Sequence, residues 1–235
     1  MGFGIKTRLL RWLDYFYIRR FPALRFLLLK DTTQYGEFRK LFALCENKKN
    51  GLVVEVGAND GLFCSNSYPF ISRGWSAILI EPNPEVFASL QSRYMDSAKV
   101  QCFNLACGSH QAKLPLFLGK AEQSGYSTLS TESSDWYSAT RSSNHIFVSV
   151  EPLTSILQIA RCPAQFDILS IDTEGYDFFV LQGLDFNFFT PKIIITEDEK
   201  PPFTKQAEKH ALLQSRGYRL HCHFQSNAIW VLKSK

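Results

Sequence analysis

Short runs of β-branched residues alternate along this chain with stretches whose apolar residues recur every three or four positions. The first run is Leu52-Val53-Val54-Glu55-Val56. Together with those at 76–80, 100–106, 166–171 and 192–196 it reads as a set of buried parallel strands. Helical spacing between them predicts helices over 65–73, from Pro84 to about Tyr94, over 152–160, from Tyr176 onward and over 208–215, where Gly217 is the stop. Residues 218–224 and 228–232, joined around Gln225-Ser226-Asn227, read as a closing antiparallel hairpin. The expected fold is therefore α/β, with a seven-stranded, mostly parallel sheet and an antiparallel terminal pair. Two shorter runs, 113–118 and 146–150, read as additional strands. The segment 119–144 is rich in Ser, Thr and Gly and has no period, and a loop this long is usually functional or disordered.

The region before the first strand is different. Residues 5–18 carry Ile5, Leu9, Leu13 and Phe16 at helical spacing. Pro22 interrupts that pattern, and 24–29 form a second apolar stretch. Asp31-Thr32-Thr33 reads as an N-cap cluster for a helix with Phe38, Leu41, Phe42 and Cys45 on its apolar face. A polar linker, 47–51, leads into the first strand. The expected organisation is an N-terminal helical segment over 1–50 and an α/β domain over 51–235. Residues 1–30 hold seven basic residues and one acid, Asp14. Two readings follow: a basic amphipathic anchor lying on anionic lipid, or helices packed on the domain or on a second subunit.

Chemistry enters where the first strand ends. Gly57 and Gly61 bracket Ala58-Asn59-Asp60, a turn that needs positive φ and close backbone approach, and that leads into a helix N-terminus. Some twenty residues on, the second strand ends in Glu81-Pro82-Asn83-Pro84. A carboxylate at that place suits a bidentate grip on ribose hydroxyls. The dinucleotide fingerprint fails, because Asn59 and Leu62 stand where glycines are required, and no phosphate-binding loop of the nucleotide triphosphatase type occurs. A cofactor with an adenosine ribose and no phosphate fits better, and S-adenosylmethionine is one.

Five segments in order extend this picture: Glu55-Val56-Gly57-Ala58-Asn59-Asp60-Gly61, Ile80-Glu81-Pro82-Asn83-Pro84, Ala106-Cys107-Gly108, Gly125-Tyr126-Ser127-Thr128-Leu129 and Ile171-Asp172-Thr173-Glu174-Gly175-Tyr176-Asp177. Their succession, over about 34–230, resembles the FkbM family of S-adenosylmethionine-dependent methyltransferases. The resemblance implies a Rossmann-like class I methyltransferase fold and O-methylation of a small metabolite, polyketide-like or sugar acceptor.

Ligands of such sheets bind outside the carboxyl ends of the strands. The expected cofactor contacts are Glu55, Gly57, Asn59, Asp60, Gly61, Glu81, Cys107 and Asp172, with the backbone near Cys107 facing the adenine. Asp60 has a second reading as a cap for the following helix. Asp172 and Glu174, at the exit of the fourth strand, are the candidate catalytic bases for an acceptor that must lose a proton. A carboxylate pair could instead hold a divalent cation, but no residues are assigned to a metal. Glu197, Asp198 and His145 are neighbouring candidates. His221 and His223 sit two apart on a strand, and read as hairpin residues or as half of a metal site. The 125–129 segment reads as a lid or acceptor contact.

Composition sets the remaining bounds. The chain has 235 residues, 45% hydrophobic and 20% charged, as expected of one globular α/β domain with an appendage. Its net charge of +4 is carried by the N-terminal segment, so a nucleic-acid partner is not expected. Six scattered cysteines without a C-x-x-C read as buried free thiols of a reducing compartment. With no transmembrane run and no signal-peptide pattern, a cytoplasmic protein is expected, peripheral to the membrane if the anchor reading holds. Two other classes stay open: a non-catalytic scaffold that retains the fold, and an NAD-dependent enzyme.

Overall fold

The computed structural model describes residues 22–119, 127–130, 141–198 and 205–233. The expected helix over 5–18 lies outside them. In chain order the elements are α1 (Pro22–Leu29), α2 (Phe38–Leu44), β1 (Leu52–Val56), α3 (Tyr68–Ile71), β2 (Ser76–Ile80), α4 (Pro84–Tyr94), β3 (Val100–Phe103), β4 (Ala106–Gly108), β5 (Ala112–Gly119), β6 (Arg141–Pro152), α5 (Leu153–Ile159), β7 (Gln165–Ile171), α6 (Asp177–Gln182), β8 (Thr190–Glu197), α7 (Gln206–Ser215), β9 (Tyr218–Phe224) and β10 (Asn227–Leu232). The main sheet has seven strands in the order β3-β2-β1-β7-β8-β10-β9. Its first five strands are parallel, and β10 runs antiparallel to both β8 and β9. This is the expected architecture, with the strand order reversing between β1 and β7.

Alternation along each strand feeds two apolar layers. Val54, Val56, Ile78, Ile80, Leu169 and Ile171 face α5 and α6, against Leu153, Ile156, Val180 and Leu181. Val53, Ala77, Leu79, Ile168, Ile193 and Ile195 face the other way, against Phe38 and Leu41 of α2, Phe70 of α3 and Leu90 of α4. Strands covered on both faces must be apolar at nearly every position, which is why they read as continuous runs. The apolar face predicted for α2 is thus part of the domain core, and this packing joins the segment before residue 50 to the sheet. The helix begins later than Asp31-Thr32-Thr33 predicts. Asp31 instead closes a local turn, accepting from the backbone N–H of Thr33 at 3.0 Å and from its hydroxyl at 2.6 Å.

Two further expectations change. The run at 100–106 is not one strand. β3 stops at Phe103, where the Asn104 amide donates to the Glu81 carbonyl at 2.9 Å and to that of Pro82 at 3.2 Å. The chain then leaves the main sheet, and β4 pairs in parallel with β6. Together with β5, which pairs antiparallel with β6, these strands make a second sheet of order β4-β6-β5. The brief strand expected at 146–150 is therefore the end of the longer β6. The helix expected over 65–73 contracts to α3, because Ser65, Asn66 and Ser67 are drawn into a turn by the buried carboxylate of Glu55. No helix among the described residues is long and apolar enough to cross a membrane.

Candidate functional site

The carboxyl ends of β1, β2 and β7 and the start of β4 converge on one cavity of about 650 Å³, within the range of small-molecule sites. Its floor is the turn after β1. Gly57 has φ +83°, and a Cβ added there would lie 1.8 Å from the Asp172 carbonyl oxygen. The glycine therefore lets β1 and β7 exit side by side, where Asp172 N–H donates to the Val56 carbonyl at 3.0 Å. A side chain at Gly57 would thus meet backbone before it reached any ligand space. Asn59 has φ +51°, a left-handed conformation that Asn tolerates better than most residues. Gly61, at φ +72°, packs under α4, where a Cβ would meet Leu90 and Tyr94.

The turn is fastened from α4. Tyr94 donates its hydroxyl to the Gly61 carbonyl at 2.7 Å, and Arg93 Nε donates to the Asp60 carbonyl at 2.8 Å. Arg93 also pairs with Asp60 Oδ2 at 3.0 Å. The other carboxylate oxygen of Asp60 accepts from the N–H groups of Leu62 and Phe63. The Asp60 side chain closes this turn and caps no helix, since α3 starts only at Tyr68, and the residue also lines the cavity.

Glu81 is the central polar group. Only 7% exposed, it accepts the Asn59 N–H on one oxygen at 3.0 Å and the Asn83 N–H on the other at 2.9 Å. Burial pushes its carboxyl up to about 7, and the two backbone hydrogen bonds limit the rise. Each oxygen has a second lone pair, so the carboxylate can take further donors such as a pair of vicinal hydroxyls.

Glu55 is placed differently. Strand alternation turns its side chain to the α2–α3 layer, where it accepts from Ser65 and Ser67 hydroxyls and the Asn66 N–H. Asn66 in turn donates to Ser170 at 3.0 Å. Burial raises the Glu55 carboxyl, against these hydrogen bonds. It is a buried anchor beneath the site; its acceptor capacity is largely committed to the 65–67 turn.

Asp172, Thr173, Glu174 and Tyr176 reach the cavity from the end of β7. Glu174 has φ +53°, a strained conformation for a non-glycine residue, and such strain collects at functional sites. Thr128 holds it in place, donating its hydroxyl to the Glu174 carbonyl at 2.7 Å. Thr128 is anchored on β5 by an isolated antiparallel bridge to Phe117. The second sheet thus delivers Ser127, Leu129 and Leu116 to the cavity wall, while Leu105, Ala106 and buried Cys107 supply the side nearest β2. Of the 125–129 segment, residues 127–129 lie among those described.

The other candidates lie elsewhere. Asp198 is buried and paired with Lys209 at 3.0 Å and with His210 at 2.7 Å. Glu197 receives no side of the cavity; its N–H donates to Asp177 at 2.9 Å. His145 is exposed on the outer face of β6 between Phe117 and Phe147, because alternation turns Val148 and Val150 inward instead. A bulge in β9 opposite Ile229 and Trp230 breaks the alternation that would give His221 and His223 a common setting. His223 Nδ1 is 3.9 Å from Asp198 Oδ2, whereas His221 sits near Lys40 and Arg219. Among the described residues no group of three His, Cys, Asp or Glu is arranged to hold a metal.

Sequence reasoning missed Gln34 and Tyr176, both on the cavity wall. Tyr176 stood inside the fourth-strand motif, where an aromatic ring beside the carboxylates was a usable signal. Nothing local to Gln34 distinguishes it; it arrives because Thr32 donates to the Ser65 carbonyl at 2.8 Å and carries the segment over the site.

Six acidic residues line the cavity, Glu55, Asp60, Glu81, Glu85, Asp172 and Glu174; Asp60 is paired with Arg93 and burial raises Glu55 and Glu81, and the acidity that remains favours a cationic ligand. Among curated proteins no match to the sequence is found. Solved structures of similar shape include a precorrin-6y C5,15-methyltransferase from Geobacter metallireducens, at 10% identity and TM-score 0.49, covering 87% of this chain and 92% of that one. A methyltransferase from Geobacter sulfurreducens is 15% identical, with TM-score 0.48 and coverage of 97% and 96%. Aeropyrum pernix fibrillarin, solved with natively bound S-adenosyl-L-methionine, is 10% identical, with TM-score 0.46 and coverage of 79% and 67%. These likenesses are too distant to assign a substrate. The sequence comparison is specific: the model of the methyltransferase FkbM domain matches residues 55–220, which takes in the glycine turn, Glu81 and the β7 carboxylates. On that match, this chain belongs to the FkbM family of methyltransferases.

Proposed function

We propose that the protein transfers the methyl group of S-adenosylmethionine to a hydroxyl of a small-molecule acceptor, with Asp172 or Glu174 as the base. The observation that carries this reading is the pairing of Glu81 with Asp172 and Glu174 around one cavity. The residues fit the cofactor. Glu81 keeps lone pairs for the ribose hydroxyls, the wall at Leu105, Ala106 and Cys107 suits a flat apolar base, and the acidic lining suits a cation. When bound, S-adenosylmethionine supplies an electrophilic methyl on a sulfonium. The chain's part is to bind and orient the reactants in near-attack geometry. Its second task is to take the proton of the acceptor hydroxyl. Asp172 and Glu174 reach the cavity from the strand exit next to the glycine turn, and the fixed backbone of Glu174 holds that carboxylate against the wall.

Calorimetric titration with S-adenosylhomocysteine and NAD in parallel tests the cofactor half. S-adenosylhomocysteine should bind, NAD should not, and Glu81→Ala should weaken binding by roughly 1.5–3 kcal/mol, the worth of a hydrogen bond to a charged group. Equal binding by a folded Glu81→Ala protein would refute the ribose assignment, and binding of neither ligand would favour a scaffold. The acceptor half is tested by transfer of a labelled methyl group to hydroxylated small molecules, RNA and protein in separate reactions. Label in RNA or protein alone would overturn it.

A further inference from the structure

α1 leaves part of its surface unexplained. Its inner side is tied to the domain. Phe26 stacks on Tyr68 with ring centres 6.0 Å apart, and Arg73 donates to the Leu29 carbonyl at 2.6 Å. Lys30 lies over the Phe26 ring at 5.0 Å. Leu27 and Leu28 face away from these contacts and are 69% and 58% exposed. Phe63, on the cavity lip, is 67% exposed and stands two residues from Ser65, the residue to which Thr32 ties the exit of α1. Large apolar side chains therefore lie open on α1 and on the neighbouring lip of the cavity. Along the sequence the charge here is one-sided: residues 1–30 contain seven Lys and Arg against one Asp, with Arg25 within α1 and Lys30 directly after it.

We propose that α1 docks the protein on an anionic lipid surface, with the cavity mouth beside that surface. Exposed leucines within a basic stretch of sequence are what an interfacial helix needs, since the leucines enter the acyl boundary while basic residues favour anionic headgroups. A nucleic acid would use the cations and leave Leu27, Leu28 and Phe63 in water. The docking does not depend on the acceptor, and it predicts nothing about S-adenosylhomocysteine affinity.

The test uses the full chain and sedimentation with vesicles of phosphatidylcholine containing phosphatidylserine, against vesicles of phosphatidylcholine alone. The protein should sediment with the anionic vesicles at about 0.1 M salt and be released near 1 M, where the Debye length falls from about 10 to 3 Å. The double variant Leu27→Glu, Leu28→Glu should lose roughly tenfold or more in partitioning, because each leucine's burial is forfeited. Its circular dichroism and melting should match wild type, both side chains being exposed. Should that variant fail to fold, Leu28→Ser with the wild-type salt and lipid series decides the question. No sedimentation of wild type with anionic vesicles at the lower salt overturns the proposal. So does equal sedimentation by the folded variants. A wild-type dimer in analytical ultracentrifugation that the same substitutions dissociate overturns it too, by showing that a second copy covers these leucines.

Discussion

Replacing Glu81 by Gln should change how stability depends on pH, in a direction opposite to that of most carboxylates. The Glu81 carboxyl rises from 4.5 to about 7 on folding, chiefly through burial. Between those values the native state holds a proton that the unfolded state has released. The contribution of this group to stability is therefore greatest below about pH 4.5 and is lost as pH rises through about 7. At 1.36 kcal/mol per pH unit the whole displacement corresponds to about 3 kcal/mol. Gln cannot titrate. It also sets an amide NH₂ against the N–H of Asn59 or Asn83, but that cost does not vary with pH and cancels from the comparison. Urea unfolding of both proteins without ligand, at several values between pH 5 and pH 8, gives two stability curves. Wild type minus variant should fall by about 2–3 kcal/mol across that span. Glu55, also buried and raised, is present in both proteins and drops out. A difference that stayed constant with pH would show that Glu81 does not titrate near neutrality, and the ionisable ribose ligand inferred here would lose its physical basis. Ligand should reverse the trend: hydroxyl donors favour the anion, so S-adenosylhomocysteine affinity should strengthen from pH 6 to pH 8 in wild type and stay flat in Glu81→Gln.

Gly57→Ala should cost stability before it costs ligand, because its Cβ would lie 1.8 Å from the Asp172 carbonyl; thermal melting should drop sharply, and a variant that melts like wild type would refute the strand-exit role. Asp172→Asn and Glu174→Gln should separate the base from its neighbour. One should lose turnover on the order of 10²–10⁴-fold with near-normal S-adenosylhomocysteine affinity, measured on an acceptor that wild type methylates; normal turnover in both would leave positioning alone to carry the step. Arg93→Ala removes the outer clamp on the glycine turn, a partly exposed contact worth about 1 kcal/mol at most, so melting should shift little while S-adenosylhomocysteine dissociation quickens; an unchanged dissociation rate would show that the turn holds its shape without Arg93.

Much of the architecture was legible in residue order alone. The apolar runs specified the main strands because a parallel sheet covered on both faces needs them. Gly57, Gly61 and Glu81 marked strand ends because tight turns and buried carboxylates are costly elsewhere. The tertiary structure decided the direction and company of individual side chains. Glu55 and Glu81 both follow apolar β-branched or aliphatic runs, yet alternation sends Glu55 beneath the site and the strand's end leaves Glu81 on its wall. Asp60 meets Arg93, 33 residues away, and Thr128 meets Glu174, 46 away. The run at 100–106 splits between two sheets because Asn104 finds carbonyls at the end of β2 and on the turn after it. Local periodicity determines what kind of element a segment forms, since it depends only on which side must be apolar. Which polar groups meet depends on register and crossover between distant segments, and those are settled only when the whole chain packs.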